Sequence, residues 1–140
     1  MLIGINSLLQ GQLLAHLDEM GHGDKLVIAD ANFPAQRLGS QVVNLSGINV
    51  SDAISAIVTV FPVDRDEPLL VMAGPDGDLP IHQELVEATG CASAVVVEKL
   101  DRRSFYDHAQ RATLIVLTGE LRSYGNIILS KGVVAIGENN

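Results

Sequence analysis

The 140-residue sequence predicts an α/β fold, a single three-layer α/β/α domain around a mixed, mostly parallel sheet. Short apolar runs without polar alternation, such as LVIA at 26–29, are typical of strands that are buried on both faces. Segments with helical spacing of apolar residues separate these runs along the chain. No linker, repeat or low-complexity segment interrupts the pattern, so one domain is expected over residues 1–140.

The N-terminal part predicts one helix followed by two strands. Leucines recur at helical spacing over residues 7–20. Ser7 is suited to cap the start of this helix, and Gly21 lies where a helix often ends. The apolar run at 25–29 predicts a buried strand, and residues 41–45 predict a second one.

The middle of the chain predicts two helices with a strand between them. Residues 51–61 predict a helix that begins at Ser51 and ends before Pro62. Residues 68–74 predict another buried strand. The next helix is expected over residues 80–90, because it starts with proline and ends with glycine, as helices commonly do.

The last third predicts three strands and one helix. A strand is expected over 92–100 and a helix over 101–112, with Asp101 as its N-cap. Two further apolar runs predict strands at 113–119 and 126–130, joined by the polar connection ELRSYG.

The charge balance limits the partners that the chain could have. The formal net charge is −8 and only nine residues are Lys or Arg, which argues against a nucleic-acid partner. The most apolar run, AISAIVTVF, is too short to span a bilayer, and the N-terminus lacks the basic region of a signal peptide. The single cysteine, Cys91, fits a reducing compartment and a buried structural role. A cytoplasmic protein that binds neutral or mildly polar small molecules is therefore expected.

Several familiar site motifs are missing from the sequence. Neither GxGxxG nor GxxxxGK[ST] occurs, which disfavours a nucleotide site, and the absence of GxSxG disfavours a serine hydrolase. The histidines show no HxxxH or HExxH spacing, so a metal site is not expected. His82 and His108 fall in separate helices and are expected at the surface.

General acid–base chemistry remains, and His22 is its best candidate. It lies between Gly21 and Gly23 in the loop before the first strand, where a ligand could approach closely. An imidazole can give and take protons near neutral pH. The alternative is a loop histidine that stabilises the C-terminus of the preceding helix. Asp24 is expected to order the GHGD turn through its own backbone.

A second group of polar residues follows the same strand. Asp30, Asn32 and Phe33 lie at its carboxyl end, where α/β sheets usually bind ligands. The alternative is a simple turn that Pro34 closes, with Asp30 bonded to its own backbone.

Two later segments could contribute to the same kind of site. Arg102 and Tyr106 are four residues apart, hence on one helix face, and a guanidinium beside aromatic rings is suited to gripping hydroxyl groups. Tyr124 and Asn126 could point into a site, or simply form a turn between strands. Four of the five Phe and Tyr residues fall in these segments, and aromatic rings suit the faces of sugars. The four are Phe33, Phe105, Tyr106 and Tyr124.

Three stretches make the sequence recognisable: GHGDKLVIADANFPA, FYDHAQ and TGELRSYGNIILSKGV. They resemble, in order, the fucose mutarotase branch of the family that also contains the ribose pyranases. The resemblance extends from about Leu2 to Val134. In the ribose branch a histidine occupies the Arg102 position and the YGN motif reads YAN, so this chain resembles the fucose branch.

The resemblance implies a cofactor-free isomerase that interconverts the anomers of an unphosphorylated sugar, most naturally L-fucose. Matched residue by residue, it makes His22 the catalytic acid–base. The matched sugar-binding positions are Asp30, Arg102, Tyr124, Gly125 and Asn126. Four neighbouring side chains are expected to support the site: Asp24, Asn32, Phe33 and Tyr106. Alternatives are a mutarotase or pyranase for another sugar, such as D-ribose, and a non-catalytic sugar-binding component of a transport or regulatory system.

The spacing of His22 and Asp30 raises a geometric question. They are eight positions apart in the sequence, and a straight strand would place their Cα atoms roughly 20–26 Å apart. Either the GHGD loop doubles back, or one site is shared between neighbouring subunits. We expect the shared site, in line with the ring-like decamers that the resemblance implies.

Overall fold

The computed structural model describes residues 1–138, in which the chain forms a six-stranded sheet with five helices. In chain order the elements are α1 (Gly11–Glu19), β1 (Lys25–Ala29), α2 (Ala35–Leu38), β2 (Val42–Leu45), α3 (Val50–Ile57), β3 (Leu69–Met72), α4 (Pro80–Ala88), β4 (Val97–Leu100), α5 (Arg102–Gln110), β5 (Leu114–Thr118) and β6 (Ile127–Ser130). None of these helices is both long enough and apolar enough to cross a membrane.

The sheet is mixed and mostly parallel, as the sequence predicts. Its strand order is β2-β5-β1-β6-β3-β4, and β6 runs antiparallel to both of its neighbours, β1 and β3. The other pairs are parallel. The direction of β6 follows from its connection, because no helix lies between β5 and β6 and a parallel return needs a longer crossover.

Apolar side chains cover both faces of the sheet, which confirms the three-layer arrangement. Leu26 and Ile28 of β1 belong to one core cluster, with helices α1, α3 and α4. Val27 and Ala29 of the same strand point into the other cluster, which includes Phe105 of α5. This alternation between two buried faces explains why the strands are apolar without interruption.

The first helix begins later than expected. It starts at Gly11 and is capped by Gln10, whose side-chain oxygen accepts the N–H of Gln12 at 2.7 Å. Ser7 is therefore not the cap. The helix ends before Met20, which has an extended backbone.

The helix expected to open at Ser51 starts one residue earlier and is shorter. Asn49 is its cap, because its side chain accepts the N–H of Asp52 at 2.8 Å. The helix ends at Ile57 rather than at residue 61. Helix α2 was not expected from the sequence, and the predicted strand at 92–100 is reduced to β4 because residues 92–94 form a turn. The remaining elements begin and end within two residues of the expected positions.

His82 is a further correction, since it is buried rather than at the surface. Its Nδ1 accepts the N–H of Leu79 at the start of α4, so the imidazole caps the helix. Burial lowers the pKa of His82. His108 is half-buried, and its Nδ1 lies 2.8 Å from the carbonyl oxygen of Ser104. Cys91 is buried, as expected.

Candidate functional site

A small pocket lies at the carboxyl end of β1, where a turn follows the strand. Its volume is about 170 Å³, below the roughly 300–1,000 Å³ of typical small-molecule sites. The pocket brings together seven of the residues that the sequence singles out, and adds Met72 and Ser123. The seven are Asp30, Asn32, Phe33, Arg102, Tyr106, Tyr124 and Asn126.

The Asp30 carboxylate forms the polar centre of this pocket. It is 3% exposed, and its Oδ1 accepts the backbone N–H of Asn32 at 3.0 Å. Its Oδ2 accepts the backbone N–H of Gly125 at 3.2 Å and the side-chain NH₂ of Asn126 at 3.0 Å. Burial raises the pKa of Asp30, while these three donors act in the opposite direction.

Asn126 completes a reciprocal pair with Asp30. Its side-chain Oδ1 accepts the backbone N–H of Asp30 at 2.9 Å, while its NH₂ group donates to the carboxylate. The pairing exists because Asn126 directly precedes β6, which runs antiparallel to β1 and so begins where β1 ends. The sequence left two alternatives for Asp30, a turn residue bonded to its own backbone and a residue that faces a site. The structure shows both features, because Asp30 orders its turn through Asn32 and also lines the pocket.

The loop before β6 holds an unusual backbone conformation. Tyr124 has φ of 65°, the only positive value for a residue other than glycine within residues 1–138. Such a conformation is rare for a bulky residue and is often found at functional sites. Gly125 follows in a tight space, because a Cβ atom there would lie 2.8 Å from Ile81 Cδ1 and 3.1 Å from Glu120 Cγ.

An ion-pair network that sequence reasoning missed anchors this loop. The Glu120 side chain is 5% exposed and accepts two hydrogen bonds from the Arg122 guanidinium, at 3.0 and 3.1 Å. Arg122 also reaches Glu84 of α4 at 2.8 Å. Arg122 lowers the pKa of Glu120 and of Glu84, and both carboxylates raise the pKa of Arg122. In the sequence, this ion pair is indicated only by the opposite charges of Glu120 and Arg122 two positions apart.

Aromatic rings form the apolar wall of the pocket. Phe33 meets Tyr106 edge to face at 5.5 Å between ring centroids, and meets Phe105 in the same way at 5.9 Å. The Arg37 guanidinium lies 6.0 Å from the centre of the Tyr106 ring. Arg102, the first residue of α5, is exposed and lines the pocket. Polar groups set against aromatic rings in this way suit a small, hydroxyl-rich ligand.

His22 lies at the opposite end of β1 and does not reach this pocket. The N–H of Gly23 donates to the carbonyl of Lys131 at 2.8 Å, and the N–H of Lys131 donates to the carbonyl of Asp24 at 2.9 Å. These bonds continue the β1–β6 ladder beyond the Lys25–Ser130 pair. The loop thus extends the strand, so the idea that it doubles back onto Asp30 is wrong. Asp24 orders the turn as expected, with Oδ2 accepting the N–H of Gly21 at 2.8 Å.

A second and larger cavity, of about 660 Å³, surrounds His22. The His22 Nε2 lies 3.1 Å from Oδ2 of Asp64, a residue that the sequence did not single out. The Asp64 side chain is 11% exposed, against 65% for His22. Arg65, Asp66 and Glu138 line the same cavity. Within residues 1–138 no group of three or more His, Cys, Asp or Glu side chains is arranged to hold a metal ion.

Comparison with known proteins shows the family and the fold that this chain shares. The sequence profile of the RbsD / FucU transport protein family matches residues 3–134. The fucose mutarotase from Streptococcus pneumoniae, solved in complex with L-fucose, is 33% identical and has a TM-score of 0.88, with 96% of this chain and 100% of that chain covered. FucU from Bifidobacterium longum is 38% identical with a TM-score of 0.86, over 94% of this chain and 99% of that chain. RbsD from Bacillus subtilis, complexed with D-ribose, shares the fold at 24% identity and a TM-score of 0.75, over 95% and 100%.

Proposed function

The chain belongs to the RbsD / FucU transport protein family, and we propose that it is a sugar mutarotase. It would interconvert the α and β anomers of an unphosphorylated monosaccharide, an isomerase reaction that needs no cofactor. L-Fucose is the favoured substrate, because the Streptococcus pneumoniae relative is a fucose mutarotase solved with L-fucose. The unpaired Cys91 fits a reducing compartment, so we assign the reaction to the cytoplasm.

The observation that carries this proposal is the pocket around Asp30. A buried carboxylate fixed by three N–H donors, two of them on Oδ2, keeps one acceptor position on Oδ1 for a substrate hydroxyl. Arg102 offers a fork of donors, and Tyr124 offers a hydroxyl at the same opening. These groups would fix the orientation of a sugar ring.

The chemistry requires two proton transfers. Opening a pyranose needs a proton delivered to the ring oxygen and another removed from the anomeric hydroxyl, and closure on the other face of the carbonyl gives the other anomer. An imidazole can perform both steps, and such catalysis contributes on the order of 10²–10⁴-fold. His22 is our candidate for this acid–base role.

We further propose that the catalytic site is shared between subunits. His22 and Asp30 are at opposite ends of β1, and the ladder to Lys131 keeps them apart. The Asp30 pocket is also too small to enclose a typical ligand by itself. A neighbouring subunit that brings its His22 to the open side, near Arg102, would complete the site. A closed ring of subunits, as a decamer, satisfies this requirement for every copy.

The first experiment is magnetisation transfer by NMR between the anomeric protons of L-fucose, repeated with D-ribose. Faster α/β exchange on fucose supports the proposed activity, and faster exchange on ribose alone would reassign the sugar. Line broadening without faster exchange on either would favour the second candidate, a non-catalytic sugar-binding protein. That candidate has a specific observation behind it, since the Asp30 pocket contains binding groups without His22.

The shared site is tested by mixing two inactive variants, His22→Ala and Arg102→Ala. Both residues are exposed, so both proteins should fold. In a hybrid ring, some sites combine an intact His22 from one subunit with an intact Arg102 from its neighbour, and we expect exchange activity to return. If subunit exchange is verified by mass spectrometry and activity stays absent, the site is not shared.

A further inference from the structure

The loop between β5 and β6 is held by an arginine that does not itself line the Asp30 pocket. Arg122 lies two residues before Tyr124, which lines that pocket and has φ of 65°. We infer that Arg122 is a positioning residue, which holds Tyr124 in its left-handed conformation and so sets the affinity for the sugar. The inference rests on the proposed function for its effect on sugar binding, whereas the effect on the Tyr124 backbone does not depend on any substrate.

Arg122 is attached to Glu120 through both its backbone and its side chain. The backbone N–H and the Nε of Arg122 both donate to Oε1 of Glu120 at 3.0 Å, and Nη2 donates to Oε2 at 3.1 Å. The Glu120 side chain is buried, and the Glu120 carbonyl accepts the N–H of Ala31 at 2.9 Å. Because Ala31 directly follows Asp30, the start of the loop is attached to the turn that carries the pocket carboxylate.

Helix α4 supports the same loop at two positions. Arg122 Nη1 donates to Oε1 of Glu84 at 2.9 Å, and Nη2 lies 2.8 Å from Oε2 of the same carboxylate. A contact through two donors fixes the guanidinium more firmly than a single hydrogen bond does. Ile81, three residues earlier on the same helix face, lies against Gly125, where a Cβ atom would be 2.8 Å from Ile81 Cδ1. The helix therefore holds the loop on both sides of Tyr124.

The far end of the loop is fixed by the Asp30 carboxylate. Its Oδ2 accepts the backbone N–H of Gly125 and the side-chain NH₂ of Asn126. Only Ser123 and Tyr124 lie between this end and Arg122, and both line the pocket. A left-handed conformation of a bulky residue is strained and persists only where its surroundings impose it. We therefore expect Tyr124 to leave this conformation when one of the two ends is released.

The exposure of the ion pair separates its positioning role from the stability of the core. The side chains of Arg122 and Glu84 are 49% and 44% exposed, and exposed ion pairs contribute little to the free energy of unfolding. Glu120 keeps the backbone N–H of residue 122 as a donor in every variant at that position. A substitution of Arg122 should therefore release the loop while the protein stays folded.

The backbone of Tyr124 can be observed directly, because the chain contains two tyrosines. Protein labelled with ¹³C and ¹⁵N in tyrosine alone should give two sets of backbone NMR signals, and Tyr124→Phe assigns them. We expect Arg122→Ala to move the ¹³Cα and ¹³Cβ shifts of Tyr124 away from left-handed values, while those of Tyr106 in α5 stay unchanged. Glu84→Ala should cause a smaller change in the same direction, because the contacts between Arg122 and Glu120 remain.

Sugar affinity provides a second readout, in the form of a double-mutant cycle. Calorimetric titration with L-fucose should show an affinity reduced by roughly 2- to 13-fold in Arg122→Ala, the range expected for the loss of one hydrogen bond. In a Tyr124→Ala protein, the same change at Arg122 should alter the affinity by less than about twofold, because no Tyr124 side chain remains to be positioned. A merely structural role of Arg122 would reduce the affinity equally in both proteins.

The matched control is Arg111→Ala, which removes an exposed arginine at the end of α5. It should change neither the Tyr124 shifts nor the affinity for L-fucose. Arg122→Lys keeps the charge but lacks the planar fork that contacts both carboxylates, so it should recover only part of the affinity. If Arg122→Ala does not fold, Glu84→Ala gives the same two readouts with Glu120 still paired.

Three results would overturn the inference: Tyr124 shifts that stay unchanged in Arg122→Ala, an undiminished affinity in that variant, or an equal loss of affinity with and without the Tyr124 side chain. Failure of the proposed function is distinguishable, since the unsubstituted protein would then neither bind L-fucose nor accelerate its exchange. The NMR shifts would still decide whether Arg122 sets the conformation of Tyr124.

Discussion

Asp30 and Asn126 hold each other through two hydrogen bonds of opposite direction, at 2.9 and 3.0 Å, across the boundary between β1 and β6. The pair locks the floor of the pocket to the sheet, because one residue follows β1 and the other precedes β6. The same two side chains therefore stabilise the end of the sheet and line the pocket that we propose as the sugar site.

The first prediction concerns this pair. Asn126→Ala removes one donor and one acceptor from buried partners, so we expect a loss of about 1–3 kcal/mol in the free energy of unfolding, measured by urea denaturation. Sugar binding should weaken with it. Asn44→Ala, an exposed asparagine on β2, is the control and should change the free energy of unfolding by no more than about 0.5 kcal/mol. A stable Asn126→Ala protein would contradict the role given to the pair.

The pH dependence of stability provides a second prediction. Burial raises the pKa of Asp30 above its ordinary value of 3.8. The folded protein therefore binds the proton more tightly than the unfolded chain, and this group's contribution to stability falls as pH rises from 3.8 through the folded pKa. Across this window the protein should lose stability relative to Asp30→Asn, when both are measured by denaturation at each pH. If the free energy of unfolding changed with pH in the same way in the protein and in Asp30→Asn, this role of Asp30 would be excluded.

Glu120 should behave in the opposite way. Arg122 lowers its pKa below 4.5, so the ion pair stabilises the fold above 4.5 and this stability is lost as pH falls through the lower folded value. Glu120→Gln should flatten the acid side of the stability profile. Glu98→Gln, at an exposed position on β4, is the matched control and should leave the profile as it was.

Two variants of Tyr124 distinguish the cost of its backbone conformation from the contribution of its hydroxyl to sugar binding. Its left-handed backbone conformation costs roughly 1–2 kcal/mol of stability, and glycine adopts the same conformation without this cost. In Tyr124→Gly, this gain should therefore offset part of the stability that is lost when the ring is removed. Tyr124→Phe keeps the ring and should leave the melting temperature unchanged. It should weaken sugar binding by roughly 2- to 13-fold, the equivalent of one hydrogen bond of about 0.5–1.5 kcal/mol. Calorimetric titration with L-fucose measures this, and unchanged affinity would remove the Tyr124 hydroxyl from the site.

Gly125 gives a prediction about packing. A methyl group there would press on Ile81 and Glu120, so Gly125→Ala should destabilise the protein by about 1–3 kcal/mol. Gly11→Ala, at the start of α1, has open space around its Cβ position and should stabilise the protein by up to about 1 kcal/mol. Equal melting temperatures for the two variants would be inconsistent with this geometry.

The sequence predicted the layers of the fold and most of the pocket because these follow from short-range patterns. Apolar runs mark buried strands, and polar residues at strand ends meet at one edge of the sheet, as Asp30 and Asn126 do. Asp64 could not be found in this way, since its contact with His22 spans 42 residues and depends on the register of β6. The burial of His82 was missed for a related reason, because a side chain that caps its own helix has no periodic signature.

The position of β6 has a consequence for the order of folding. Within residues 1–138, the half-sheets β2-β5-β1 and β3-β4 are joined through β6, the last strand of this range, which takes a central place in the sheet. Until residues 127–130 are inserted, β1 and β3 each present an open edge that could pair with another chain. We expect chains truncated before β6 to aggregate rather than to form a smaller stable domain. The six-stranded sheet can therefore close only after β6, the strand between its two halves, has been synthesised.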